Sequence, residues 1–188
     1  MTAIEVQPLA EVDAGVFDGL GSALRETFGV AVSIRPRSIP IDRFYDSQRG
    51  QYNSTAILHY LDHSAPSTLR TLTTQTGHAV RIVGVTGQDL FIPILTYVFG
   101  EAALGGNVAV VSYHRFRNEL YGLPSNQQLV QERLQKVVIH ELGHSLGLVH
   151  CSLHSCVMHA ASYVEELDLK GHGFCPYCHN LLKRTKHT

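Results

Sequence analysis

The run HELGHSLGLVHC, residues 140 to 151, sets three histidines, a glutamate, two glycines and a cysteine within twelve positions. Histidines four residues apart project from one face of a helix, about 5 to 6 Å apart at Cβ, so His140 and His144 can both reach one metal ion. Glu141 sits one step round the helix, beside such a metal rather than on it. A carboxylate there can take a proton from a metal-activated water, whose pKa zinc lowers to about 7. Gly147 can adopt the positive φ with which a helix stops and the chain reverses, bringing His150 to the same metal. Three histidines leave a fourth zinc position for water, as in catalytic rather than structural sites. The competing reading is a helix with satisfied core histidines, and Met158, taken alone, is core filler.

All four cysteines, Cys151, Cys156, Cys175 and Cys178, fall in the last forty residues. Cys175 and Cys178 form a CxxC and the other two a wider pair, so four thiolates can close a tetrahedral structural zinc site. Free buried cysteines, two disulfides, or a histidine ligand from His154, His159 or His179 are the alternatives. In an extended segment consecutive side chains face opposite ways, so His150 can turn to one metal and Cys151 to another. Lys170, Lys183 and Arg184 flank the cysteines; they either offset the negative charge of a four-thiolate zinc site or, as the favoured reading, form an ordinary solvated tail.

These residues need a scaffold, and 188 residues suffice for one buried core without disulfide staples. A net charge of −1 implies no general attraction to nucleic acid or anionic membrane. The acidic first thirty residues do not resemble a secretory leader, and the apolar stretch from Arg81 to Tyr113 is broken by Asp89, Glu101 and glycines. A cytoplasmic location follows as the expectation, and a reducing cytoplasm favours metal over disulfides at the cysteines. Residues 3 to 7 alternate as a strand. Leu9, Val12, Val16, Leu20, Leu24 and Phe28 recur at helical spacing up to Gly29. Val30, Val32 and Ile34 alternate again, residues 54 to 62 look helical, and Val80 to Val85 and Val108 to Ser112 look extended. Ser125 with Gln128 resembles a capping box opening the helix that carries His140 to His144. Strands alternating with helices give an α/β (α+β) layered fold. The shift in composition divides the chain into residues 1–147, with sheet and active-site helix, and a small metal-stabilised C-terminal subdomain, 148–188.

The pattern HExxHxxGxxH followed by a methionine turn resembles the metzincin zinc peptidases, matched here by His140, Glu141, His144, Gly147, His150 and Met158. The added Cys151, then Cys156 with Met158, then Cys175 and Cys178, is similar to the archaemetzincin branch. GVTGQDLFIPILTYVFG and VAVVSYHRF upstream are also similar to that family. The resemblance implies a metzincin-like mixed twisted sheet, two zinc ions per chain, His140, His144 and His150 as catalytic zinc ligands, Glu141 as general base and Met158 as an apolar floor. It also implies a peptide or protein substrate whose backbone pairs with a sheet edge, for which Val108 to Ser112 is the expected strand. Where several metzincins carry a tyrosine two residues after the methionine, this chain has Ala160.

Peptide hydrolysis is therefore the leading function, with no nucleic-acid or membrane partner and a monomer as the favoured state. Glu165, twenty-one residues past His144, is the rival third ligand within the enzyme class. From a different class, a zinc-stabilised binding or regulatory protein with an occluded, weakly active site is the alternative. Whether cleavage is internal or from the amino end is left open, because no acidic residue can be assigned to a free amine.

Overall fold

The computed structural model describes residues 1, 3–64 and 80–185. A five-stranded sheet runs in the order β2 (Ala31–Ile34), β1 (Ala3–Pro8), β5 (Val80–Thr86), β8 (Val108–Ser112), β7 (Gly100–Ala102). All neighbours are parallel except β7, which is antiparallel to β8. A smaller sheet joins β3 (Tyr45–Asp46), β4 (Gln51–Asn53) and β6 (Leu90–Phe91). The fold is thus a mixed α/β arrangement.

The pleat explains the layering. On β8, Ala109 and Val111 face the cluster containing Leu20, Leu24 and Phe28 of α1 (Leu20–Phe28) and Leu134, Val138 and Leu142 of α3 (Gln127–Ser145). Val108 and Val110 face the other way, onto Ile57 and Leu61 of α2 (Ser54–Ser64). All five β8 residues are buried, which suits a β-branched run covered on both faces. The strand expected at the sheet edge is therefore internal, and β7 forms the edge instead.

Two local expectations are also corrected. Leu9, Val12 and Val16 do not belong to α1: Leu9 bridges Ile39, Ala14–Phe17 is a 3-10 turn capped by Asp13, and Gly19 at φ 75° interrupts the chain before Leu20. Gly29, at φ 67°, closes α1 as anticipated. At α3 the cap is Asn126 rather than Ser125, its Oδ1 accepting the Leu129 N–H at 3.0 Å.

Beyond α3 come the short α4 (Val164–Leu169) and α5 (Pro176–Thr185). Leu148, Cys156, Val157, Met158, Leu167, Cys178 and Leu182 share one apolar cluster with α1 and α3, so the C-terminal segment packs into the main core. Arg133 of α3 ties it further through a 2.6 Å ion pair with Asp168. Among the described residues no helix is long and apolar enough to cross a membrane. Since a side-chain cap contributes about 1 kcal/mol, Asn126→Ala is expected to lower unfolding stability by that amount, while Ser125→Ala leaves it within about 0.5 kcal/mol. Chemical denaturation of both variants checks the assignment.

Candidate active site and metal centres

Helix α3 presents His140 and His144 one turn apart, and the chain then turns at Gly147, whose φ of 89° is the left-handed conformation expected there. His150 comes back against both rings, with centroids 5.3 Å from His140 and 4.9 Å from His144. The three candidate ligand atoms lie within 4.8 Å of one another. Two hydrogen bonds fix how the rings point: His140 Nδ1 lies 2.8 Å from the Val157 carbonyl and His144 Nδ1 2.8 Å from the Leu148 carbonyl. A ring that donates from Nδ1 keeps its lone pair on Nε2. The two Nε2 atoms consequently face each other at 3.1 Å, lone pair toward lone pair, an arrangement a shared cation relieves. Zinc–nitrogen bonds of about 2.0 to 2.1 Å in a tetrahedron span a nitrogen–nitrogen edge of about 3.4 Å, so the donor set fits zinc. Burial pushes the His140 pKa down to about 3 and lowers those of His144 and His150, favouring the neutral imidazoles a metal requires.

The four thiols also converge within 4.8 Å. Cys151 and Cys175 Sγ are 3.8 Å apart, far beyond a disulfide bond of about 2.05 Å. A zinc–thiolate tetrahedron with bonds of about 2.3 Å has an edge of about 3.8 Å. No disulfide is present among the four cysteines. The Cys175 N–H donates to Cys156 Sγ at 3.3 Å, and a backbone N–H from Cys178 helps bring the Cys175 thiol down to about 7, stabilising the thiolate form that metals bind.

Met158 is fully buried, its sulfur filling the space a side chain at Gly143 would occupy. Gly143 thus lets the turn at 157–159 pack directly on the active-site helix. Glu165 is exposed on α4 and stands outside the histidine group.

Glu141 is 6% exposed, and its carboxylate makes no hydrogen bond among the described residues. Burial raises its pKa to about 8, against the opposing pull of the Lys170 charge. It lies against the edge strand so closely that a Cβ at Gly100 would sit 2.7 Å from its Cγ and 2.8 Å from Oε1. The next side chain on β7, Glu101, turns to the opposite face and accepts from Ser54 Oγ and, at 2.9 Å, from Thr55 Oγ1. A cleft of about 640 Å³ runs between the 97–102 segment and residues 160–163, over Val137 and Leu167. The Tyr97 hydroxyl donates to the Ser162 carbonyl at 2.6 Å, bridging these two rims.

Three site features carry no signal in the sequence. Gly100 stands in an apolar segment where nothing marks its contact with Glu141. Gly143 lies inside the histidine motif, but only the fold reveals what it accommodates. Lys170, expected in a solvated tail, is 4% exposed and borders the cleft, because Val157 and His159 accept its ammonium protons in the interior. Lys183 and Arg184 are exposed, and Lys186 lies outside the described residues.

Comparison with known proteins places this geometry in a family. The model of Peptidase family M54 matches residues 28–184. An archaemetzincin of Methanocaldococcus jannaschii is 36% identical over 92% of this chain and 88% of its own length. Among solved structures, a zinc-dependent peptidase from Methanocorpusculum labreanum is similar at a TM-score of 0.84, with 29% identity over 95% of this chain and 99% of that one. An archaemetzincin from Methanopyrus kandleri is similar at a TM-score of 0.78, with 31% identity over 100% of this chain and 96% of that one. With its histidine and cysteine groups assembled and a family model spanning most of its length, this chain belongs to Peptidase family M54, the archaemetzincins, a family of zinc-dependent metallopeptidases.

Proposed function

We propose that this protein hydrolyses peptide bonds, with His140, His144 and His150 holding a catalytic zinc and Glu141 as the general base. In the same reading Cys151, Cys156, Cys175 and Cys178 hold a second, structural zinc, giving two ions per chain, and Met158 is the apolar floor of the histidine site. The observation that carries the reading is the buried, unbonded carboxylate of Glu141 beside three converging imidazoles. A purely structural metal site has no use for such a group.

Bound at the histidines, zinc supplies Lewis acidity toward a water and a substrate carbonyl. The remaining work falls to the chain. Glu141 accepts the proton of the attacking water on a carboxylate oxygen that no protein group occupies, and then returns it to the departing amine. Burial strengthens it as a base. The open edge of β7 offers main-chain N–H and C=O groups to an extended substrate, the part first expected of Val108 to Ser112. Ala160 borders the cleft without a side-chain donor, so its side chain contributes nothing to an oxyanion.

A second reading, a binding or regulatory protein with an occluded and weakly active site, is favoured by the Tyr97–Ser162 bridge across the cleft. Exposure of the zinc-loaded protein to a diverse peptide library separates the two, since occlusion predicts little or no cleavage. Glu141→Gln is the control. It is expected to retain zinc and fold while kcat falls about 10²- to 10⁴-fold, the usual contribution of general-base catalysis. Loss of zinc from that variant would contradict the assigned role.

Gly100→Ala tests how the base is held. Its new methyl overlaps the Glu141 side chain, and a displacement of about 1 Å can cost about 100-fold in rate. The expected result is a kcat lowered by about that factor with zinc content unchanged. In a Glu141→Asp background, where the side chain is shorter, the same change should cost much less. Wild-type turnover in Gly100→Ala would show that the edge strand does not position the base.

A further inference from the structure

Lys170 borders the active-site cleft yet is only 4% exposed. Its Nζ donates to the Val157 carbonyl at 3.3 Å and the His159 carbonyl at 2.7 Å, on either side of Met158. An ammonium has three protons to donate, and among the described residues the third has no protein acceptor. No carboxylate oxygen of the described residues comes within 4.0 Å of it, since the ion pairs there join Arg35 to Glu5, Arg115 to Asp89 and Arg133 to Asp168. Burial lowers its pKa to about 8, which leaves it mainly cationic at neutral pH.

A buried charge without a close counter-charge is unfavourable unless something completes it. Among the described residues no counter-charge touches it: Cys156 and Glu166 act on it only at a distance. Glu141 attracts Lys170 only at a distance, and the other carboxylate lining the cleft, Glu101, is committed to Ser54 and Thr55. Phe99, Val137 and Leu167 are among the walls of the cleft that Lys170 borders. An apolar recess with one cation in its lining suits a carboxylate on a short aliphatic stem. The location also fixes which part of a substrate can reach it. The Val157 carbonyl that accepts from Lys170 also accepts from the ring of His140, so the ammonium stands one carbonyl group away from a proposed zinc ligand.

We propose that Lys170 is the specificity-determining cation of this cleft, selecting a substrate that carries a carboxylate next to the scissile bond, as an acidic side chain or a free chain terminus. This rests on the peptidase reading above and adds the chemical class of substrate. Lys170 thereby has two tasks: two protons hold the turn at 157–159, and the third meets the substrate.

The test uses matched peptides. One set differs only in Glu against Gln on either side of the cleaved bond; another differs only in a free against an amidated carboxyl terminus one residue beyond it. The zinc-loaded wild type is expected to favour a carboxylate in one set by about 10- to 100-fold in kcat/KM, the gain from one well-placed charge-assisted bond. The set showing the preference identifies the source of the carboxylate. In Lys170→Met the ratio should fall to about one. Because that variant loses two structural bonds, calorimetric binding of the same pairs to Glu141→Gln, in which Lys170 is intact, provides a readout independent of turnover and should show the same preference. Equal values within every pair in the wild type, or a preference that survives Lys170→Met, would overturn the proposal. Absence of any cleavage would sink the peptidase reading instead, and a carboxylate preference in the Glu141→Gln binding data would then still uphold Lys170 as the anchor.

Discussion

The backbone at Cys151 is held on three sides, and the geometry of the active site depends on it. Its N–H donates to the Met158 carbonyl at 2.9 Å, its carbonyl lies 2.9 Å from Nδ1 of the His159 ring, and its sulfur joins the cysteine cluster. The residue immediately before it is His150. An exposed imidazole on a segment without secondary structure has many rotamers and no intrinsic reason to meet two histidines on a helix. Pinning its neighbour removes most of that freedom, which otherwise costs about 1 to 2 kcal/mol per residue to restrain. The adjacent side chains face opposite ways, so one short stretch of backbone serves two proposed metals.

The same turn organises the helix side. The Val157 carbonyl orients His140, the Leu148 carbonyl orients His144, and Met158 packs on the helix where Gly143 has no side chain. From the opposite direction the edge strand closes over Glu141 at Gly100. Missing side chains at these two positions are what allow three layers, strand, helix and turn, to approach within contact distance around a carboxylate. Burial that close raises the proton affinity of Glu141, and the charge of Lys170 opposes it.

Much of this arrangement is legible in the order of the amino acids. The histidine spacing, the reversal at Gly147 and the opposed directions of His150 and Cys151 follow from local helix and strand geometry, which sequence periodicity encodes. The strands at Ala3–Pro8 and Val108–Ser112 carry the same kind of signal. The features that periodicity does not reveal depend on contacts between distant segments. Val108 to Ser112 reads as a strand, but whether it lies inside the sheet or at its edge depends on β7, three residues long with a glycine and an alanine and hence almost no extended-strand signature. Leu9 to Val16 fit a helical period by spacing alone, while Gly15 and Gly19 and the pairing of Leu9 with Ile39 decide otherwise. Lys170 reads as a surface residue because lysine usually is one. Only the two carbonyls that capture it, on a turn eleven to thirteen residues earlier, bring it inside.

In the proposed two-metal arrangement the cysteine cluster holds the backbone that presents His150, so damage at one centre is felt at the other. Calorimetric titration of zinc into metal-free wild type and Cys175→Ser protein tests this coupling, because Cys175 is distant in sequence from the histidine helix and belongs to the separate cysteine group. The wild type should take up two ions. Structural zinc contributes about 10 to 16 kcal/mol of apparent binding energy in small modules, so loss of one thiolate should loosen the segment around Cys151. The expected outcome is zinc affinity at the histidines weakened by about 10- to 100-fold, with the sheet and α3 still folded by circular dichroism. An unchanged affinity at the histidine site would contradict this coupling and make the adjacency of His150 and Cys151 incidental.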